Sequence, residues 1–169
     1  RLRLGNVILV GSDIDRGIFS TYLMDGLLKV QERLTIYESP RDKALGMALL
    51  AFGKNRVGQL DTSDLTPAAR EFLRSSDALS LVSITNAPGY DAGNGHSYFR
   101  DSPLVSSDVL ATLRYDLTPG KRGLSQDPAT GVWEFPVDYL SRLEEVIFEA
   151  DPYLARRARE LAETPEAPR

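Results

Sequence analysis

His96 is the only histidine of the sequence and stands in the segment YDAGNGHSYFRDSP, residues 90–103. An imidazole exchanges protons near neutral pH, and it works as a general base when a carboxylate holds its ring in place. Two carboxylates, those of Asp42 and Asp13, follow apolar segments elsewhere in the chain. These residue types fit the acid and base of a hydrolytic site. The alternative for His96 is an exposed or locally bonded ring in a loop.

Both carboxylates also fit a structural role. The run from Ser39 to Asp42 places a hydroxyl before Pro40 and a carboxylate three residues further on, which is the pattern of a helix capping box. Asp13 would equally cap a helix that begins near Arg16. The residue types alone therefore leave two interpretations open for each carboxylate.

The sequence offers only weak candidates for the nucleophile that this pair would activate. Ser97 lies in a stretch similar to the G-x-S-x-G elbow, but Phe99 replaces the second glycine and no histidine follows. Ser12 is better placed, since Ser12, Asp42 and His96 occur in the hydrolase order of nucleophile, acid and base. Ser12 nevertheless lacks the flanking glycines of a strained strand-to-helix turn.

Three apolar segments predict parallel strands that would position these groups: residues 6–10, 34–37 and 79–84. The first lacks apolar/polar alternation, which indicates a strand inside the sheet and covered on both faces. The third is interrupted by Ser80 and Ser83, and we expect it nearer an edge. Ligands of open α/β sheets bind at the carboxyl ends of the strands, and each candidate residue follows one of these segments.

Helices are predicted between and after the strands. An apolar face recurs from Ile18 to Val30, and hydroxyl-then-proline pairs open helices near Pro40, Pro67 and Pro103. The helix from Pro40 would run to Phe52, and the one at Pro103 would bury Leu104, Val109, Leu110 and Leu113. Residues 117–130 are rich in glycine, proline and polar residues, and two more helices are expected at Val137–Glu149 and Pro152–Ala162. This alternation predicts an α/β layered sheet.

Composition removes several classes of function. The chain has 169 residues, a formal net charge of −4 and no cysteine, so disulfides, thiolate chemistry and a basic nucleic-acid surface are not expected. One histidine argues against a zinc site, and no glycine-rich phosphate loop follows any predicted strand. We therefore expect no cofactor, no metal, no nucleic acid and no membrane span. The absence of cysteine is compatible with either side of a cell membrane.

Three stretches occur together in order: NVILVGSDIDRGIF, LTIYESPRDKAL and GHSYFRDSP. As an ordered set they resemble the C-terminal half of a bacterial family of α/β-hydrolase-fold proteins, esterase- or lipase-like hydrolases of unknown function. The resemblance covers about residues 4–115. It implies an α/β-hydrolase domain portion at residues 1–115, followed by a loop and helical extension at 116–169.

The resemblance also implies roles for the candidate residues. The three strands would be the sixth, seventh and eighth of the hydrolase sheet, Asp42 the triad acid and His96 the base. Asp13 is the alternative acid, because some members of the wider fold place it after the sixth strand. The family's serine lies in a Gly-His-Ser-x-Gly elbow on an earlier strand, and no residue here matches it.

The sequence thus predicts part of a serine hydrolase that carries the acid and base but lacks the nucleophile. The 169-residue chain alone would be a catalytically inactive fragment, while the full-length protein would hydrolyse small-molecule carboxylic esters or related acyl compounds. The competing hypothesis is a non-catalytic α/β domain that binds a ligand or a partner. Oligomeric state, acyl group and alcohol group have no signature in the sequence.

Overall fold

The computed structural model of the chain describes residues 4–10, 21–23, 25–38, 67–87 and 101–163. Its strands are β1 (Leu4–Val10), β2 (Gln31–Glu38), β3 (Leu79–Ser83), β4 (Ser125–Gln126) and β5 (Trp133–Glu134). Its helices are α1 (Pro67–Ser75), α2 (Pro103–Tyr115), α3 (Tyr139–Ala150) and α4 (Pro152–Glu163). Short 3₁₀ turns occupy Leu27–Lys29 and Gly120–Arg122.

The strands form one sheet in the order β1-β2-β3-β5-β4. Strands β1, β2, β3 and β5 are parallel, and β4 is antiparallel to β5. In register, Val10 lies opposite Tyr37, and Glu38 lies opposite Ser83. The predicted α/β class and the three predicted parallel strands are therefore confirmed. The carboxyl ends of β1, β2 and β3 meet at one edge of the sheet.

Strand β3 lies inside the sheet, between β2 and β5, and all its residues are buried. The expectation that its serines mark a position near an edge is wrong. Serine is small enough to be buried when its hydroxyl has a partner, and the Ser83 hydroxyl pairs with that of Thr85 at 2.9 Å. The prediction that β1 lies inside the sheet and is covered on both faces is not met among the described residues, where β1 has one neighbour, β2, and its side chains are half-buried or exposed.

The sheet also extends beyond the three predicted strands. β4 and β5 come from the C-terminal segment that the sequence assigns to loop and helices, and each has two residues, too few to show a periodic pattern. Their connection packs against α1 at Gly131, whose φ is 81° and where a Cβ atom would lie 2.9 Å from that of Leu73. Only glycine fits both the left-handed conformation and this close approach.

Apolar side chains cover both faces of the sheet, as its parallel strands require. Leu34 and Ile36 of β2 point into one cluster with Leu73 of α1. Tyr37 points to the other face, where Val105 of α2 and other residues of α2 and α3 form the second cluster. The alternation follows from the two-residue period of a strand.

The start of α2 agrees with the prediction, but its buried face does not. Leu110 and Leu113 are exposed by 64% and 58%, whereas Asp108 and Thr112 are buried. Leu104 and Val109 are partly buried against the second cluster, as expected. The two leucines are exposed because α2 buries the side that carries Asp108. The Asp108 carboxylate has its charged and hydroxyl partners on that side.

The remaining predicted helices have mixed outcomes. α1, α3 and α4 begin within two residues of their predicted starts. The helix expected to continue to Val30 is interrupted at Gly26, where φ is 95°, and the chain makes the 3₁₀ turn instead. The helix predicted from Pro40 to Phe52 lies outside the described residues. Among the described helices, none is long and apolar enough to cross a membrane.

Candidate functional site

The three predicted site residues, His96, Asp42 and Asp13, lie outside the residues that the structure describes, as do Ser12 and Ser97. The structure describes the strands from which the segments with these residues start. β1, β2 and β3 each lead into one of these segments, and adjacent parallel strands lie about 4.8 Å apart. The three starting points therefore fall within about 10 Å along one sheet edge.

Both sides of the segment that carries His96 are firmly attached. On the incoming side, the Ile84 amide donates to the Glu38 carbonyl at 2.9 Å, and the Ala87 amide donates to the Ile84 carbonyl at 2.9 Å. On the outgoing side, Ser102 is fully buried as the first residue before α2. The described residues thus define where this segment leaves the sheet and where it rejoins the helical layer.

Beneath this edge lies a fully buried polar group centred on the Asp108 carboxylate, here called the Asp108 cluster: Tyr37, Asp108, Arg122 and Tyr139. Arg122 donates from Nε to Oδ1 at 2.6 Å and from Nη2 to Oδ2 at 3.1 Å. The Tyr37 hydroxyl donates to Oδ2 at 2.5 Å, and the Tyr139 hydroxyl donates to Oδ1 at 2.9 Å. Each carboxylate oxygen therefore accepts one bond from arginine and one from tyrosine.

The charges of the Asp108 cluster are balanced within the cluster. Arg122 also donates from Nη1 to the Leu117 carbonyl at 2.7 Å. Burial works against the charge of Arg122, but the adjacent Asp108 carboxylate outweighs it, so the pKa of Arg122 is raised. Burial, followed by the negative carboxylate, raises the pKa of Tyr37 and the pKa of Tyr139. Both phenols stay protonated in the fold and act as donors.

Sequence reasoning missed this cluster. The available signal was Asp108 at helical spacing from Val105 and Thr112, a carboxylate on what is otherwise the buried side of α2. Its partners come from β2, from the 3₁₀ turn and from α3, so no local pattern connects them. The arrangement supplies rigidity rather than chemistry, because every polar atom of the carboxylate is already engaged.

A second polar group lies at the C-terminal end of α2, here called the Asp116 cluster: Asn6, Arg33 and Asp116. Arg33 forms an ion pair with Asp116 and donates to the Asn6 side chain at 3.1 Å. Asn6 donates to the Asp116 carboxylate at 2.6 Å. The Asp116 side chain is 62% exposed. This cluster belongs to the end of the sheet away from the candidate site.

No metal site emerges from the part of the chain that the structure describes, since it brings no three histidine, cysteine or acidic side chains together in a suitable group. His96, Asp42 and Asp13 are not covered by that observation.

A mostly parallel sheet with helices on both faces, and with candidate polar residues following its carboxyl ends in the sequence, is consistent with an α/β-hydrolase fold. The family model described as "Alpha/beta hydrolase of unknown function (DUF900)" matches residues 2–114, and the chain belongs to this family. Comparison with curated proteins and with solved structures returned no match.

Proposed function

We propose that the chain supplies the acid and the base of a serine hydrolase that acts on carboxylic esters or related acyl compounds. His96 is the general base, and Asp42 is the carboxylate that orients and stabilises its imidazolium form. The observation that carries the proposal is the parallel register of β1, β2 and β3, because the segments with these residues start from neighbouring strand ends. Membership of an α/β-hydrolase family supports the same reading.

The nucleophile in this proposal is a serine outside the 169 residues, since no Gly-His-Ser-x-Gly elbow occurs in the sequence. His96 would remove its proton during attack on the acyl carbon and return that proton to the leaving alcohol. The 169-residue chain by itself is then expected to show no ester hydrolysis above background.

Covalent labelling by a serine-directed phosphonate tests the proposal in the full-length protein. We expect labelling of the intact protein and loss of ester turnover by about 10³-fold or more in His96→Ala. A protein that binds ligands but performs no acyl transfer would neither label nor turn over. That outcome would favour the alternative function, a non-catalytic domain that binds a ligand or a partner.

Asp42→Asn and Asp13→Asn separate the two candidates for the acid. Loss of turnover by about 10³-fold to 10⁴-fold is expected for Asp42→Asn, because the neutral amide no longer supports the imidazolium. Asp13→Asn is the matched control and should retain nearly full turnover. The reverse result would transfer the role to Asp13 and leave Asp42 as a helix cap.

A further inference from the structure

The hydrogen bond between Tyr37 and Asp108 joins two elements that flank the proposed site segments along the chain. Tyr37 lies at the carboxyl end of β2, and the segment with Asp42 follows that strand. Asp108 belongs to α2, and the segment with His96 precedes that helix. One hydrogen bond therefore spans from the strand before the proposed acid to the helix after the proposed base.

This bond is well suited to hold a fixed distance. The Tyr37 hydroxyl and Asp108 Oδ2 are 2.5 Å apart, and both residues are completely buried. Arg122 donates to both carboxylate oxygens from two nitrogens, which restrains the orientation of Asp108. A charge-assisted hydrogen bond between buried groups is strong, because burial shields both groups from water.

We propose that Tyr37 is a positioning residue of the hydrolytic site, which through Asp108 fixes the segment of the acid relative to the segment of the base. This inference rests on the proposed function. Tyr37 touches no reacting atom in it; the residue acts by holding the end of β2 against α2. Errors of about 1 Å in the placement of catalytic groups can cost about 10²-fold in rate, so a loosened strand end should lower turnover.

Tyr139 provides a matched control. It donates to the other oxygen of the same carboxylate at 2.9 Å and is equally buried. It lies at the start of α3, which follows β5 and is adjacent along the chain to neither proposed segment. In Tyr37→Phe and in Tyr139→Phe alike, one hydroxyl is lost and the deprived oxygen keeps one nitrogen of Arg122.

The experiment compares the two variants in the full-length protein, with p-nitrophenyl acetate as the ester and at a temperature at which both are fully folded. We expect Tyr37→Phe to lower kcat about tenfold with KM unchanged, because the binding surface is intact and only the catalytic geometry is loosened. Tyr139→Phe should keep kcat within about twofold of the unaltered protein. The rate of phosphonate labelling should follow kcat in each case.

Equal loss of kcat in both variants, or no loss in either, would overturn the positioning role while leaving the hydrolase intact. An unaltered protein that neither hydrolyses the ester nor labels would overturn the proposed function itself, and this inference with it. Should Tyr37→Phe fail to fold, Arg122→Lys examines the same link, since a lysine keeps the charge but loses the two-point clamp. Unchanged kcat in Arg122→Lys would then contradict the role.

Discussion

Two aspartate–arginine pairs beside α2 differ in burial: Asp108–Arg122 joins α2 to the 3₁₀ turn, and Asp116–Arg33 joins the residue after α2 to β2. In the Asp108 cluster, the side chains of the pair are 0% and 1% exposed, whereas in the Asp116 cluster the aspartate is 62% and the arginine 20% exposed. Both clusters also involve β2, through Tyr37 in the first and Arg33 in the second. An aspartate–arginine pair thus occurs once in a buried and once in an exposed setting.

The difference teaches which of the two attachments is sensitive to substitution. A buried charge has lost its hydration and depends entirely on its protein partners, so removal of one partner leaves the other uncompensated. An exposed charge returns to water when its partner is removed, and salt screens the pair while it exists. We therefore expect the buried cluster to tolerate almost no change and the exposed cluster to tolerate most changes.

The largest effect is expected for Asp108→Ala. It leaves the Arg122 guanidinium buried without a counter-charge, and the free energy of unfolding should fall by about 3 to 5 kcal/mol. Urea unfolding followed by circular dichroism measures this change. The double variant Asp108→Leu with Arg122→Met is the control and should cost less than Asp108→Ala alone, because no charge remains buried. If the double variant is less stable than Asp108→Ala, an uncompensated buried charge does not explain the loss.

The second prediction concerns alkaline pH, which should lower the free energy of unfolding through the Asp108 cluster. Tyr37 and Tyr139 have raised pKa values in the fold, while in the unfolded chain they ionise near 10.0. Above that pH the unfolded state binds fewer protons than the folded state, so the free energy of unfolding falls as pH rises. The stabilisation is complete below about pH 10, and two tyrosines should lose about 2 kcal/mol together between about pH 10 and about pH 11.

Urea unfolding at several pH values measures this slope. The variant carrying both Tyr37→Phe and Tyr139→Phe is the control, since it has no raised phenol pKa in the cluster and should show a shallower decline. If the free energy of unfolding falls equally steeply with pH in both proteins, groups other than these tyrosines cause the loss of stability at alkaline pH.

Single removal of a cluster hydroxyl should have an intermediate effect. Tyr37→Phe and Tyr139→Phe each delete a donor to a buried carboxylate but keep the aromatic ring, and each should cost about 1.5 to 3 kcal/mol. The two values should agree within about 1 kcal/mol, because each oxygen retains one bond from Arg122. A cost below about 0.5 kcal/mol for either variant would mean that the cluster is less tightly closed than its distances indicate.

The exposed pair should respond weakly. Arg33→Ala removes the ion pair with Asp116, and we expect a cost of about 0.5 to 1 kcal/mol, decreasing as sodium chloride is added. The same salt series on Asp108→Ala serves for comparison and should leave its cost nearly unchanged. A loss for Arg33→Ala that equals the loss for Asp108→Ala would remove the distinction between the two clusters.

The smallest effect is expected for Asp116→Gly. Asp116 ends α2 with a φ of 55°, a left-handed conformation in which glycine carries no steric cost. Relief of this strain should offset the lost ion pair, leaving the free energy of unfolding within about 0.5 kcal/mol of its original value. Asp116→Ala is the matched control and should be clearly less stable than Asp116→Gly, because alanine loses the pair and keeps the strain.

Several elements could be predicted because their signals are local. Mainly apolar segments at 6–10, 34–37 and 79–84 indicated parallel strands, and prolines indicated the starts of α1 and α2. The ordered motifs around Asp42 and His96 indicated an α/β-hydrolase family, which the family match confirms. Their assignment as acid and base stays a prediction, because both residues lie outside the described part of the chain.

Other features depended on pairings between distant residues. The two residues of β5 form a strand only because β3 offers an open edge beside them, with Val82 opposite Trp133. Leu110 and Leu113 fit an apolar face as well as their neighbours do, yet they are exposed because Asp108 draws its own side of α2 inward.

The sequence by itself determined the class of fold, the order of the strands along the chain and the family, since these follow from residue type and short-range spacing. Only the tertiary structure decided which face of α2 is buried, which strand lies inside the sheet, and that Tyr37, Asp108, Arg122 and Tyr139 meet. The physical reason is that a buried carboxylate is stable only where several donors converge on it, and those donors come from segments far apart along the chain.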